Sequence, residues 1–530
     1  MYMMASRVDV IPLFPKKQTP SSLNHTRRVT PSSESSASKR CLIVAPRNLV
    51  PDAATIDLAH SQIFQSWKHL FHSGQADVGR PGFSYVPFLL RTDITPTSAE
   101  RTSLQLHLTH EERERENGKE SPDILKCRHI ILNFNLRENP RHFFKDEYAT
   151  LLDKLFPDTL SVSFDGHFLL FCMKSLPVSP RPRTVAGVQA YFTTDPSDEG
   201  PFPPLQRRGA PPIKIRKDID CRKDVDGVDL LFDIIADHFN TAHIPITEMQ
   251  YWENFVVIVL EHRETDLTDV PSEIARCSCY YLFEDEMDRP PELPAPRLKE
   301  PKPTKDIIVD DSKYETLRPG VMLSSEKHPE QDVESLASSG ILLKDGSGNN
   351  YMTVASHGFP FDGARVFHPV AGEIEVGTVM MKLAHTDISL VRLHPDVHFV
   401  NECFENSLGE DTPVRLRRLE KSAHTPMGCP VYMNNPFTGY SEGTYGPWGR
   451  LRVPSDDPNE PAQRWIRTRW AYLGQGASQH LVDGVCGSPL WTQQGNVVGF
   501  FNYAPQSGHF RDWCLTVVTD HLVDGGYSIA

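Results

Sequence analysis

The sequence predicts a multidomain protein, with an α+β region ahead of an all-β region. Three observations predict it. At 530 residues the chain is too long for one hydrophobic core. A helix-then-strand pattern occurs twice before residue 285. Beyond residue 315 the character changes to short apolar runs separated by turn residues, as in a sandwich or barrel. The expected divisions are a disordered arm over 1–45, an α+β region over 46–285, a Pro-rich linker over 286–314 and the all-β region over 315–530.

The totals exclude several classes. A net charge of −14 argues against a general nucleic-acid binder. No apolar run is long enough to cross a bilayer, so no membrane association is expected. The N-terminus has no secretory-type apolar region, because Val8-Asp9-Val10-Ile11 stops at Pro12, so the expected setting is intracellular, cytoplasmic or nuclear. The Ser-, Pro- and Lys/Arg-rich arm also has the composition of a mitochondrial transit peptide. The ten cysteines include no C-x-x-C pair and no zinc-site spacing, so neither a disulfide scaffold nor a metal is expected.

Taken in order, Ile56, Ala59, Ile63, Trp67 and Leu70 recur at helical spacing, and Phe83–Leu90 reads as a strand. The mixed-charge run His110–Glu120 reads as a solvated loop or helix end. Asn139-Pro140 has the form of an N-cap with proline at the first helical position. Phe144, Tyr148, Leu151, Leu152 and Leu155 then form one apolar face, and Asp165-Gly166 turns into the strand His167–Met173. In the second unit Val228, Leu231, Phe232, Ile235 and Phe239 line a helix, followed by the strand Asn254–Leu260. The Pro-, Arg- and Gly-rich stretch 176–217 between the units reads as a loop or linker. With no catalytic constellation before residue 300, this region is expected to pack or to recognise a protein partner. Six prolines between Pro290 and Pro303 mark a polyproline-like spacer.

The all-β region offers candidate strands at 320–323, 339–343, 350–355, 388–393, 413–416, 429–433 and 497–501. Asp345-Gly346 is a hairpin turn. Asn434-Asn435-Pro436, Thr438-Gly439 and Gly443–Gly449 read as loops.

The chemistry centres on Asp483-Gly484-Val485-Cys486-Gly487-Ser488-Pro489-Leu490-Trp491. Gly484 and Gly487 allow a tight turn in which successive amides converge, with a thiol at the apex. Alone, the stretch also reads as a Gly-rich turn around a buried Cys. The pattern G-x-C-G-x-P-L resembles the nucleophile loop of chymotrypsin-like (trypsin-fold) peptidases, with Cys where most members have Ser. Thr353-Val-Ala-Ser-His357 resembles that family's histidine segment, and Thr386-Asp387-Ile-Ser-Leu-Val-Arg-Leu393 its aspartate segment. The order His, Asp, nucleophile is also the family's. The likeness covers about residues 315–530 and extends to uncharacterised fungal proteins with this domain.

The resemblance implies a trypsin-like double β-barrel and cleavage of a polypeptide substrate without a cofactor. By it Cys486 attacks, His357 takes the proton or pairs with the thiolate, and Asp387 orients the imidazole. The amides of Gly484 and Cys486 form the oxyanion hole. Asn502, Tyr503 and Ala504 border the primary pocket, with His480 near its floor suiting a polar or acidic side chain. Two departures stand out. Val485 replaces the Asp that secreted members use to sense a newly cut N-terminus, and Gly358 leaves no disulfide beside the histidine. Ser488 is a rival nucleophile, but the distance to Pro489 favours Cys486. His368, His385, His394 and His398 are weaker candidates for the base or a metal. The alternative to a peptidase is an inactive trypsin-like domain that binds peptides or proteins as a scaffold.

Overall fold

The computed structural model describes residues 129–530 except 157, 178–180, 204, 223–226, 254, 290–296, 299–308, 328–333, 360, 405–412, 455–462, 478–480 and 482–483, together with the short strands Leu42–Ile43 and Leu104–His107. The expected helix at 53–71, the strand at 83–90, the charged run at 110–120 and, Leu42–Ile43 aside, the arm over 1–45 lie outside the described residues.

The first sheet contains β1 (His129–Leu132), β2 (Thr159–Phe164), β3 (Phe168–Met173) and β4 (Val188–Thr193), with α1 (Asp146–Leu155) between β1 and β2. The helix expected from Asn139 is interrupted. Pro140–Phe144 is a separate 3₁₀ turn, Lys145 is extended, and Asn139 makes no side-chain cap. The break lets Phe143 enter the core while Phe144 stays 39% exposed. Asp146 and Glu147 then meet the positive end of α1.

The stretch 176–217 is not the expected loop. It holds Thr184–Val185, β4 and the strand Ala210–Ile215. All six residues of β4 are buried, because β4 lies between β3 and Thr184–Val185. The prolines that suggested a linker, Pro211 and Pro212, sit on an end strand of the second sheet, where a missing N–H costs little.

The second helix unit is built around α2 (Gly227–Thr241), β5 (Ile246–Tyr251), β6 (Phe255–Leu260) and β7 (Cys277–Phe283). Alternate residues of β6 face two cores. Val256, Ile258 and Leu260 pack with Leu231, Ile235 and Phe239 of α2. Phe255, Val257 and Val259 pack with Trp470 and Trp513 from the C-terminal half. Burial on both faces is why β6 is apolar throughout, and it pairs in parallel with β7.

The C-terminal half forms two closed rings. The first uses β8 (Met322–Lys327), β9 (Glu334–Ser338), β10 (Leu342–Lys344), β11 (Asn350–Ala355), β12 (Arg365–His368), β13 (Ile374–Leu383) and β14 (Ile388–Leu393). Pairing runs β9–β8–β12–β13–β14–β11–β10. β9 and β10 are one bent strand, and the bend closes the ring on β11. There the Gly340 N–H donates to Thr353 O at 2.8 Å, and the Thr353 N–H to Ile341 O at 2.9 Å. Within the Pro-rich stretch, Arg297–Leu298 pairs with Leu336 and Ser335 of β9.

The second ring uses β15 (Pro430–Asn435), β16 (Gly439–Pro454), β17 (Gln463–Tyr472), β18 (Pro489–Trp491), β19 (Asn496–Tyr503) and β20 (Trp513–Val518). It runs β15–β18–β19–β20–β17–β16 and returns to β15. Gly443–Gly449, expected as a loop, lies inside β16, and 413–416 forms no strand beyond an isolated bridge at Arg415. The far end of β16 pairs with β5, so one sheet runs from the second ring into the α2 unit.

Arg469 of β17 fixes this ring to its neighbouring loop. It is fully buried and donates to Gly446 O (2.7 and 3.1 Å), to Ser422 O (3.1 Å) and to Thr425 O. Its guanidinium lies 3.9 Å from the Tyr445 ring centroid and 4.2 Å from that of Trp448. Burial brings its pKa down to about 10, still charged at neutral pH. Arg469→Met keeps the length and leaves three carbonyls without this donor. The expected loss in denaturant unfolding is about 3 kcal/mol, and a loss below about 1 kcal/mol would show that the staple is dispensable.

Candidate active site

Strand register brings the first two site residues together. In the antiparallel pair β11–β14, Ala355 faces Ile388. His357 lies two residues past Ala355, on the turn Ser356–Gly358, and Asp387 lies one residue before Ile388. The Ser356 N–H donates to Asp387 O at 3.0 Å, and the His357 N–H donates to Asp387 Oδ1 at 3.0 Å. The imidazole Nδ1–H donates to Asp387 Oδ2 at 2.7 Å. The carboxylate thus holds both the main chain and the ring of His357, which leaves Nε2 for chemistry. Asp387 has φ +54°, a left-handed angle that Asp tolerates better than most residues. Asn502 Nδ2–H supplies a further donor to Oδ2 at 3.3 Å.

The Cys486 turn docks against the end of β11. Gly484 and Gly487 have φ of +97° and +86°. A Cβ on Gly487 would stand 2.9 Å from Ala355 N, so only glycine lets the turn come this close. Cys486 is 5% exposed, and its thiol donates to Asn502 O at 3.0 Å. The imidazole and sulfur are close enough to interact. Burial of His357 opposes its charged form, but Asp387 and the Cys486 sulfur outweigh this and hold its pKa well above the ordinary 6.5.

Ser338, at the end of β9, fixes the other side of the turn. Its buried hydroxyl donates to Gly484 O at 3.0 Å. Among the described residues, neither the Gly484 nor the Cys486 amide donates to an acceptor. Ser488 is fully buried, and its hydroxyl has no partner among the described residues.

The other expected residues divide. Asn502 reaches the thiol with its carbonyl and Asp387 with its amide. Tyr503 is 8% exposed and turns its hydroxyl to Arg289, and Ala504 packs beside the cluster that holds Cys486. His480 lies outside the described residues. His368 is buried, donates from Nδ1 to Met322 O at 2.7 Å and accepts the Tyr314 N–H at 3.0 Å, so its role is structural. His394 pairs with Glu375 at 3.1 Å. Sequence reasoning missed Ser338 and the carboxylate contact of Asn502. Neither lies in a motif, and only the docking of distant strands reveals them.

A closed pair of six-stranded rings, with a thiol, an imidazole and a carboxylate gathered at one turn, is thus the class of protein this chain presents. No family model matches the chain, and no curated protein does. Among solved structures it is similar to a glutamic-acid-specific serine protease described as using a histidine triad in substrate binding, at 14% identity over 40% of this chain and 100% of that one, TM-score 0.30. It is also similar to Protease A of Thermobifida fusca, at 17% identity over 41% and 99%, TM-score 0.29. A chymotrypsin of Cellulomonas bogoriensis gives 17% identity over 41% and 98%, TM-score 0.29. These likenesses cover about two fifths of the chain.

The raised pKa of His357 has a measurable consequence. The folded chain binds this proton more tightly than the unfolded chain does. The resulting stabilisation is complete below about 6.5, the unfolded value, and is lost as pH rises through the higher folded value. Selective-label NMR is expected to show a His357 midpoint above 6.5, and Asp387→Asn to bring it down. A wild-type midpoint at or below 6.5 would contradict the charge pairing.

Proposed function

We propose that this chain is an intracellular endopeptidase of the cysteine type on a trypsin-like double barrel, with Cys486, His357 and Asp387 as its triad. The observation that carries the reading is the row of contacts from Asp387 through the ring of His357 to the thiol turn. The Cys486 sulfur attacks the peptide carbonyl, and its proton passes to Nε2 of His357. The amides of Gly484 and Cys486 take up the developing oxyanion. Collapse of the tetrahedral adduct expels the amine, which receives the proton from His357, and leaves a thioester on Cys486. Water, deprotonated by His357, then releases the carboxylic acid and regenerates the thiol. Throughout, Asp387 holds the ring and balances its charge.

The substrate fits as an extended polypeptide. Pairing between β18 and β19 reaches Pro489 and Phe500, with Ser488 still bonded to Phe501. Past Phe501 that edge of β19 carries no paired strand among the described residues, and it is there, beside the thiol, that an extended peptide would pair. The eight described cysteines are all free thiols, which supports a reducing compartment.

A second reading, peptide binding without turnover, is favoured by one observation: the thiol donates to the main-chain carbonyl of Asn502 at 3.0 Å. Chloroacetamide at neutral pH separates the two. An activated thiol is expected to alkylate at Cys486 at least about ten-fold faster than at Cys403 or Cys429. Equal rates would leave only the binding reading. Cys486→Ala is expected to abolish cleavage of denatured casein, and cleavage that persists in this variant would refute the nucleophile.

A further inference from the structure

The segment that leaves β7 makes an unusual set of contacts with the end of β19. Arg289 has a side chain only 10% exposed. It donates through Nε to the Tyr503 hydroxyl at 3.2 Å, pairs with Glu284 at 3.3 Å, and pairs with the fully buried Glu248 of β5. Glu248 in turn accepts Trp470 Nε1–H at 2.6 Å and Gln250 Nε2–H at 3.0 Å. The Trp470 ring lies edge-on to Tyr503 at 5.8 Å. A buried carboxylate with this many donors is costly to build and holds its partners in one arrangement.

The next residue back grips the loop beyond the strand. The carboxylate of Asp288 accepts the Gln506 N–H at 2.9 Å and the Ser507 N–H at 2.7 Å. Gln506 Nε2–H folds back onto Ala504 O at 3.3 Å. Gly508 follows at φ +76°, and a Cβ there would stand 2.9 Å from Glu286 O. Residues 286–289 therefore shape both Tyr503 and the 504–508 loop, beginning one residue beyond the carbonyl that accepts the Cys486 thiol.

We propose that Arg289 and Asp288 are positioning residues for the peptide-binding end of β19, and that the region ahead of the two rings is part of the catalytic unit. This rests on the peptidase reading above and adds what aligns the substrate. Successive residues along β19 advance about 3.3 Å each. Arg289 holds Tyr503, the last residue of β19, and Asp288 holds the loop that follows it, so together they support the part of an extended peptide that lies away from the bond being cut. A ligand that occupies only the thiol end does not use them. An extended one does, and misplacement there is felt in the rate.

Two electrophiles test this: chloroacetamide, which needs only the thiol, and a tetra-alanyl chloromethyl ketone, which also needs the strand. Arg289→Met and Asp288→Ala are expected to slow the tetra-alanyl reagent about ten-fold or more and to leave the chloroacetamide rate within about two-fold. Amide hydrogen exchange over 503–508 is expected to speed up in both variants. Asp288 is on the surface and Arg289→Lys keeps a charged donor, so these two decide the matter should Arg289→Met fail to fold. Rates for both reagents unchanged, or falling together, overturn the proposal. So does unchanged exchange over 503–508. A wild-type Cys486 no faster than Cys403 with chloroacetamide would instead sink the peptidase reading. Faster exchange in the variants would still support the positioning role.

Discussion

Two hydrogen bonds at Thr353 close the first ring, and the site depends on that closure. A strand edge left open must find a partner elsewhere, and the bend at Gly340 supplies one within the chain. Closure fixes the register of β11 against β14, and register fixes which residues leave the two strand ends side by side. A slip of one residue would carry His357 away from Asp387. The imidazole–carboxylate pair is in this sense a product of backbone pairing before it is a product of charge.

Three charged groups with little exposure show three ways of meeting the cost of desolvation. Asp387 has its oxygens covered by an amide, an imidazole and the Asn502 side chain. Glu248 is paired with Arg289 and also hydrogen-bonded by Trp470 and Gln250. Arg469 is held by carbonyls and aromatic rings. Only the first bonds to the histidine and the asparagine beside the thiol. The second ties the α2 unit to the end of β19, and the third braces the second ring. The structure therefore spends its most expensive interactions where separate pieces of chain must keep a fixed spacing.

The sequence and the structure part where packing overrides local pattern. β11 and β14 match their expected limits because each is a short apolar run with a polar boundary. β16 escapes notice because its glycines at 443, 446 and 449 look like turn residues. Their absent side chains instead admit close neighbours: Tyr472 O against Gly443, the Trp513 ring and Trp470 O against Gly446, and Thr468 Oγ1 against Gly449. Of the helix face drawn from Phe144, Leu152 and Leu155 are buried and Tyr148 and Leu151 pack against the same core, while Phe144 alone departs because the core selects Phe143 and the backbone breaks at Lys145 to deliver it.

By itself the sequence determined the chemical types at the site and their order: a histidine after one strand, an aspartate before another, and a thiol on a glycine-bounded turn. Those features are local, written in turn residues and in the alternation of apolar side chains. Only the tertiary structure decided that Ser338 would hold Gly484, that Asn502 would face both sulfur and carboxylate, and that Arg289 would reach Tyr503. These contacts join residues far apart in the chain, and each depends on how whole strands dock. No short stretch of sequence carries that information, because the energy that selects it comes from the packed ensemble of strands.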